Sequence, residues 1–267
     1  MVMKTILSEI IDYKKREVLE RKKHVPLDSL MKSLDRPVRK YSLCEALKEK
    51  ENSGIIAEYK SKSPSSGVIN NLSGVAEVTR GYITAGATAL SILTDSHFFG
   101  GSLENLRIAR MNNTCPILEK DFIVNEYQIY EANAMGADVI LLIASVLSCS
   151  QVESMSKLCK DLGMESILEI HSRDEIDHVC PSVNIVGINN RDLRTFEVNI
   201  TNSIEIARYL SNSILKISES GIKSPEDVKK LSKAGFSGFL IGSSFMKSQD
   251  PAESCRKFIS ELKNIRQ

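Results

Sequence analysis

Eight short apolar runs alternate with segments of helical period, and this alternation constrains the fold more than any other feature of the sequence. The runs are GIIAEY (54–59), TALSILTD (88–95), CPILEKD (115–121), ADVILLIA (137–144), ESILEIH (165–171), VNIVGINN (183–190), SILKISESG (213–221) and FSGFLIGSS (236–244). Most are continuously apolar, which is typical of parallel strands buried on both faces. Intervening segments such as NEYQIYEANAMG and EDVKKLSKAG have helical period and end at a glycine that fits a helix C-cap.

Eight strand–helix units in 267 residues predict an α/β fold, the (β/α)8 TIM barrel. A doubly wound open sheet is the alternative, because periodicity does not distinguish a closed sheet from an open one. From Thr5 to about Lys23, apolar residues at helical spacing among many charges predict an extra amphipathic helix, whose basic excess we interpret as a solvated face. No linker or shift of composition marks a second domain. We therefore expect one barrel domain over residues 1–267, with residues 1–50 as an N-terminal helical extension.

Charge and cysteine usage exclude several classes of function. The 35 basic and 34 acidic residues give a net charge of +1, so no global field attracts nucleic acid or an anionic membrane. The six cysteines include no C-x-x-C pair, the four histidines lack ligand spacing, and no apolar run is long enough to span a bilayer. We expect a cytoplasmic protein with reduced thiols and no metal, working as a monomer without an obligate protein partner.

Polar side chains occupy the C-terminal ends of the predicted strands, where barrels of this class carry their functional groups. The residues at these ends are Glu58, Lys60, Asp95, Lys120, Asp121, Glu169, Asn189, Arg191, Glu219, Ser220, Gly242 and Ser243. Lysines among carboxylates suit general acid–base chemistry: a carboxylate holds a lysine charged as a proton donor, and partial burial lowers its pKa toward the working range. A structural ion pair of Lys120 with Glu58 or Glu169 is the compatible alternative.

Two glycine–serine segments, SESGI (218–222) and LIGSSF (240–245), follow the seventh and eighth predicted strands. Glycine lets backbone N–H groups approach a phosphate closely, and a short helix beginning at Ser243 or Ser244 would point its positive end toward the anion. The loop from Ser63 to Gly67, with Lys62 beside it, can close over the same group. A phosphate site is therefore expected after strands seven and eight.

Seven segments, in this order and at barrel spacing, resemble those of indole-3-glycerol-phosphate synthases. They are IIAEYKSKSPSSG, SILTDSHFFGGSLENL, CPILEKDFIVNEYQIYEA, LEIHSRDE, IVGINNRDLRTFEVN, SESGIKSPEDV and GFLIGSSFM. The resemblance covers essentially the whole chain, including the extra N-terminal helix, and implies the monofunctional form of this lyase of tryptophan biosynthesis. The implied reaction is cofactor-free ring closure, decarboxylation and dehydration of 1-(2-carboxyphenylamino)-1-deoxyribulose 5-phosphate.

The resemblance also implies a role for each matched position. Lys120 would be the general acid that protonates the substrate ketone, and Glu169 the general base. Lys60 would bind the anthranilate carboxylate, while the dehydration step falls to Lys60, Lys120 or Glu169. Glu58 would orient the lysine charges. The remaining implied site residues are Asn189, Arg191 and Glu219 among the polar groups, Ser63, Ser220, Gly221, Gly242 and Ser243 at the phosphate, and Phe99 with residues 193–196 beside the aromatic ring.

Three positions depart from the family pattern without removing a catalytic group: Ser61, Glu119 and Asn199. Glu119 should point away from the barrel lumen if Lys120 points into it, because adjacent strand residues face opposite sides. Two other classes of function stay open on the residues alone. One is a different phosphosugar barrel, either an Amadori isomerase or an aldolase with Lys120 as Schiff-base nucleophile. The other is a barrel that binds a phosphate ligand without chemistry.

Overall fold

Eight parallel strands close into a barrel in the computed structural model, which describes residues 5–33, 40–64, 66–70, 73–192 and 197–266. The strands are β1 (Ile55–Tyr59), β2 (Ala89–Leu93), β3 (Ile117–Lys120), β4 (Val139–Ile143), β5 (Glu165–Ile170), β6 (Ile185–Asn189), β7 (Leu215–Glu219) and β8 (Gly238–Ile241). Strands adjacent in sequence are adjacent in the sheet, and β8 pairs with β1 through Ile56 and Leu240. The predicted (β/α)8 barrel is confirmed, and the open-sheet alternative is wrong.

Helices surround the barrel and precede it. They are α1 (Ile6–His24), α2 (Leu27–Ser33), α3 (Leu43–Lys48), α4 (Val75–Thr84), α5 (Leu103–Asn112), α6 (Glu126–Met135), α7 (Cys149–Asp161), α8 (Thr201–Ala207), α9 (Pro225–Lys233), α10 (Ser243–Met246) and α11 (Pro251–Arg266). Between β5 and β6 the connection is a 3-10 helix, Arg173–His178. The predicted N-terminal helix is confirmed, with Thr5 as its N-cap. Gly136 closes α6 at φ 92, as its sequence predicted.

Alternate strand residues fill two separate apolar layers. One set packs against the outer helices, and the other fills the barrel lumen. The lumen residues include Ile56, Ala89, Leu118, Val139, Leu141, Ile167, Ile185, Ile217 and Leu240. Leu43 and Leu47 of α3 join this cluster, and Glu165 accepts hydrogen bonds from the backbone N–H groups of Leu43 and Cys44 at 2.8 and 3.0 Å. We conclude that α3 covers the N-terminal end of the barrel, because Glu165 is the first residue of β5.

The lumen-facing set continues along each strand from apolar to ionisable residues. Ile56 is followed two positions later by Glu58, and Ile167 in the same way by Glu169. Since strand side chains alternate with period two, these acids share the lumen face with the apolar residues below them. The strand pleat therefore places the ionisable groups together at the C-terminal end of the barrel.

A buried ionic cluster joins α1 to the barrel. Lys14 has no exposed surface, and its Nζ lies 2.9 Å from carboxylate oxygens of both Asp95 and Asp121. The interpretation of the basic residues of α1 as a solvated face is therefore wrong at Lys14. A lysine can be buried here because the two aspartates at the ends of β2 and β3 supply the charge that water would otherwise compensate. Among the described helices, none combines the length and apolar character that a membrane span requires.

Candidate active site

A cavity of about 600 Å³ opens at the C-terminal end of the barrel. Its polar lining includes Glu58, Lys60, Ser63, Lys120, Asp121, Glu169, Asn189, Arg191, Glu219, Ser220, Ser243 and Ser244, together with the backbone of Gly221 and Gly242. Its apolar lining includes Ile6, Leu7 and Ile10 from α1, with Phe99 and Phe122 from the loops after β2 and β3. Its volume lies in the range of small-molecule sites, about 300–1,000 Å³. Most residues predicted for the site thus surround one cavity.

Two lysines in this cavity form ion pairs with different carboxylates. Lys60 Nζ lies 2.5 Å from Glu58 Oε1. Lys120 Nζ lies 2.6 Å from Glu169 Oε2 and 2.7 Å from Glu219 Oε2. All five side chains are largely buried, so water screens these charges only weakly. The ion pair expected for Lys120 is present with Glu169, and Glu219 is its second partner.

The charge of Lys120 is stabilised by its surroundings. Burial lowers the pKa of its ammonium group, but the negative charges of Glu169, Glu219 and Glu58 outweigh burial and raise the pKa above its ordinary value. The expectation that burial would bring this pKa down toward neutrality is therefore wrong in the absence of substrate. Lys120 is thus a charged ammonium group held between two acids.

Glu169 and Glu219 differ in proton affinity although they share one lysine. Burial opposes ionisation of Glu169, yet the charges of Lys120 and His171 hold its pKa well below the ordinary value. Asn189 Nδ2 also donates a hydrogen bond to Glu169 Oε1 at 3.2 Å. Burial and the nearby charge of Glu169 raise the pKa of Glu219, against the opposing effect of Lys120. Glu169 is thus the ionised carboxylate of the pair.

Two glycines leave room for the site carboxylates. A Cβ atom added to Gly187 on β6 would collide with the carboxylate of Glu219, and one added to Gly242 would collide with that of Glu58. Both glycines lie beside the strand that carries the acid, since β6 pairs with β7 and β8 pairs with β1. The two carboxylates therefore occupy space that a side chain at either glycine position would fill.

The turn after β7 and the start of α10 form the other end of the cavity. Ser220 has φ 67, the positive-φ conformation that a non-glycine residue rarely adopts, and Gly221 follows at φ 77. The short helix α10 begins at Ser243, where the sequence predicted it. Lys223 and Lys247 also line the cavity. Sequence reasoning missed both lysines, although each stands within four residues of a glycine–serine segment.

Some predicted site residues lie elsewhere or outside the described residues. Lys62 is absent from the described cavity lining, and its Nζ donates to the backbone oxygen of His97 at 3.1 Å. Phe99 lines the cavity with its ring centroid 6.0 Å from that of Phe122. Residues 193–196, expected beside an aromatic ring, are not among the described residues. Glu119 lies off the cavity lining while Lys120 lies on it, as the strand pleat predicted.

Two features of the site were not predicted as functional. One is the cavity wall formed by α1, and the other is His171, which lies beside Glu169. The apolar spacing of Ile6, Leu7 and Ile10 predicted a buried helix face but did not show what that face covers. His171 stands two residues after Glu169 on the same strand face, a spacing that brings its ring beside the carboxylate. The sequence therefore contained a weak signal for His171 and none for the target of α1.

Comparison with known proteins agrees with this geometry. The family model of indole-3-glycerol phosphate synthase matches residues 7–258. A protein of that name from Bacteroides thetaiotaomicron is 44% identical, over 97% of this chain and 100% of its own length. Another from Carboxydothermus hydrogenoformans is 40% identical, over 93% of this chain and 97% of its own length.

A solved structure shares the fold alone. Thiamine phosphate pyrophosphorylase from Pyrococcus furiosus superimposes with a TM-score of 0.58 at 15% identity, covering 83% of this chain and 99% of that protein. At that identity the likeness says nothing about chemistry. The family model and the two relatives instead cover nearly the whole chain, and the relatives are 44% and 40% identical to it. The chain therefore belongs to the indole-3-glycerol phosphate synthase family.

Proposed function

We propose that this chain converts 1-(2-carboxyphenylamino)-1-deoxyribulose 5-phosphate into indole-3-glycerol phosphate, releasing carbon dioxide and water. The observation that carries the proposal is the pair of lysines, Lys60 and Lys120, each ion-paired with its own acids around one cavity. Family membership supports the same reaction. The proposed reaction uses side chains and backbone groups that line the cavity.

The two ends of the cavity suit the two ends of this substrate. The 5-phosphate would be bound at one end by Ser63, Ser220, Gly221, Gly242 and Ser243. Backbone N–H groups of the turns would donate hydrogen bonds to it, and the nearby Lys223 and Lys247 would add positive charge. The apolar wall of α1 and two phenylalanines would receive the aromatic ring. Lys60 lies at the barrel mouth with the charge that the anthranilate carboxylate requires. A substrate bound this way would have its reacting carbons beside Lys120 and the acids that pair with it.

Ring closure uses Lys120 as the general acid. The aromatic carbon that bears the carboxylate forms a bond to the ketone carbon, and the Lys120 ammonium gives a proton to the ketone oxygen, which becomes a hydroxyl group. The raised pKa of Lys120 keeps it protonated until substrate arrives. The negative charge that develops on the oxygen during attack then draws the proton across.

Decarboxylation and dehydration complete the reaction. The carboxylate leaves as carbon dioxide, and the electron pair of the broken bond restores the aromatic ring. The new hydroxyl group leaves as water with a proton from an ammonium group of the site, either Lys60 or Lys120 after it has regained a proton from solvent, while Glu169 takes the proton from the adjacent carbon so that the indole double bond forms. Asn189 and Glu219 hold Glu169 and Lys120 in place for these transfers. Arg191 lines the same cavity beside Asn189 and would contact the substrate.

Schiff-base chemistry fits the site less well. A lysine nucleophile must lose its proton before it attacks a carbonyl group. The carboxylates around Lys120 raise its pKa and so disfavour the neutral amine. Borohydride added together with the carboxyphenylamino sugar phosphate should therefore leave Lys120 unmodified, as peptide mass spectrometry would show.

The direct test is turnover. Purified protein is incubated with the carboxyphenylamino-deoxyribulose phosphate, and indole fluorescence is followed between pH 6 and 9. We expect a signal that rises with enzyme concentration and saturates with substrate. Absence of a signal at every pH would exclude the proposed reaction. Sedimentation of the same sample would test the predicted monomer, which, like the cytoplasmic location and the single-domain organisation, stays a prediction.

A further inference from the structure

His171 stands between two carboxylates at the edge of the site. Its Nε2 lies 3.3 Å from Glu169 Oε1, and its Nδ1 lies 3.6 Å from Glu175 Oε2. The side chain is only 13% exposed, so water screens its interaction with the two acids weakly. The ring is therefore placed to interact with both carboxylates as a cation.

The surroundings of the ring favour its protonated form. The charged groups that face it are Glu169 from β5 and Glu175 from the 3-10 helix, while α8 contributes the neutral Asn202, whose amide donates to the His171 backbone oxygen. Burial lowers the pKa of His171, but the two carboxylates raise it to about 10. Glu175 also accepts a 2.5 Å hydrogen bond from the His171 backbone N–H group, which fixes it beside the ring.

The proposed reaction creates a charge problem that His171 can solve. When Lys120 gives its proton to the substrate, the positive partner 2.6 Å from Glu169 becomes a neutral amine. Glu169 is 3% exposed, so an ionised carboxylate without a partner would be costly at this position. A second positive charge that takes no part in the proton transfer keeps Glu169 ionised at that moment. His171 lies beside the opposite carboxylate oxygen from Lys120 and supplies this charge.

We propose that His171, held by Glu175, is a positioning residue that keeps Glu169 ionised and oriented after Lys120 has given up its proton. This inference rests on the proposed function, because it assigns Glu169 as the base of that reaction. Neither His171 nor Glu175 belongs to the described cavity lining, so both act through Glu169 without touching the substrate.

The test compares pH profiles of kcat/KM for the wild type, His171→Gln and Glu175→Gln. Without the histidine charge the pKa of Glu169 rises, so Glu169 becomes protonated and inactive as a base at a higher pH. The acid limb of the kcat/KM profile therefore moves to higher pH. We expect a shift of about one pH unit for His171→Gln, equivalent to about a tenfold loss on that limb, while KM changes less than about threefold. Glu175→Gln keeps the ring but weakens its charge, and should shift the limb in the same direction by less.

His178→Gln serves as the matched control, because it removes a histidine from the far end of the same 3-10 helix. Its acid limb should coincide with that of the wild type. Superimposable acid limbs for the wild type, His171→Gln and Glu175→Gln would overturn the role of His171. If His171→Gln does not fold, the Glu175→Gln profile decides. An inactive wild type contradicts the proposed function instead, and an NMR titration then tests separately whether the His171 ring stays protonated above pH 8.

Discussion

At the scale of single residues, the site depends on how charges are paired. Lys120 lies between Glu169 and Glu219, whereas Lys60 has Glu58 as its ion-pair partner among the described residues. A lysine flanked by two acids stays protonated, and Glu169, which has His171 as a second cationic neighbour, holds its own proton less tightly than Glu219. The difference between Glu169 and Glu219 follows from their neighbours and not from residue type, since both are buried glutamates at strand ends.

Replacing Lys120 with methionine should separate binding from chemistry. A general acid acts mainly in the transition state, so Lys120→Met should keep substrate affinity within about tenfold while turnover falls by about 10²–10⁴-fold. Indole fluorescence measures turnover, and titration with substrate measures affinity separately. Lys229→Met, at an exposed position of α9, is the control and should retain wild-type turnover. Near-normal turnover of Lys120→Met would contradict the assignment.

At the scale of elements, α1 is fixed to the barrel by one buried lysine as well as by apolar contacts. Lys14 lies among Asp95, Asp121 and Glu17, and Ile10, one turn earlier, lines the cavity. The helix that forms a wall of the site is thus held by charges at the ends of β2 and β3. Disturbing these charges should affect stability and the site together.

Lys14→Met should destabilise the protein strongly. The substitution preserves much of the side-chain length but leaves Asp95 and Asp121 buried without their cation, which costs about 3–5 kcal/mol in comparable buried pairs. Urea denaturation measures the free energy of unfolding. Lys15→Met, at the neighbouring exposed position, should change it by less than about 0.5 kcal/mol. Equal effects of the two variants would show that the buried ion pairs do not stabilise α1.

The elements themselves could be predicted because their signals are local. Each apolar run and each C-cap glycine is readable within about ten residues, and the strand pleat then places Glu58 and Lys120 on the lumen face. The partner of Lys14 could not be predicted, because Asp121 lies more than a hundred residues away and the pairing depends on how α1 packs. The space that Gly187 leaves for Glu219 was equally unpredictable, since it depends on the register between β6 and β7.

At the scale of the whole molecule, buried acids outside the site make stability depend on pH. Glu119 is buried beside Asp121, with the Thr94 hydroxyl 3.0 Å from its Oε1. Burial, with the charge of Asp121, raises its pKa to about 8. In the unfolded chain this group ionises near its ordinary pKa, so between about pH 4.5 and 8 we expect the folded protein to hold up to one more proton than the unfolded one. Its contribution to stability is therefore present at low pH and lost as pH rises.

Glu119→Gln should remove this part of the pH dependence. The amide cannot ionise, so the free energy of unfolding of the variant minus that of the wild type should rise by up to about 1.4 kcal/mol for each pH unit between 5 and 8. Urea denaturation at several pH values measures this difference. The exposed Glu261→Gln should give a difference that stays flat. A flat difference for Glu119→Gln as well would show that Glu119 is ionised in the folded protein.

Because β8 pairs with β1, the first and the last barrel strands to be synthesised are neighbours in the finished barrel. A nascent chain that stops before Gly238 leaves one edge of β1 unpaired and lacks the backbone of Gly242 beside Glu58. It also lacks the start of α10, one of the two turns proposed to bind the phosphate. The site is therefore completed only after β8 and the start of α10 have been synthesised, and translation products that lack them should be unable to turn over substrate.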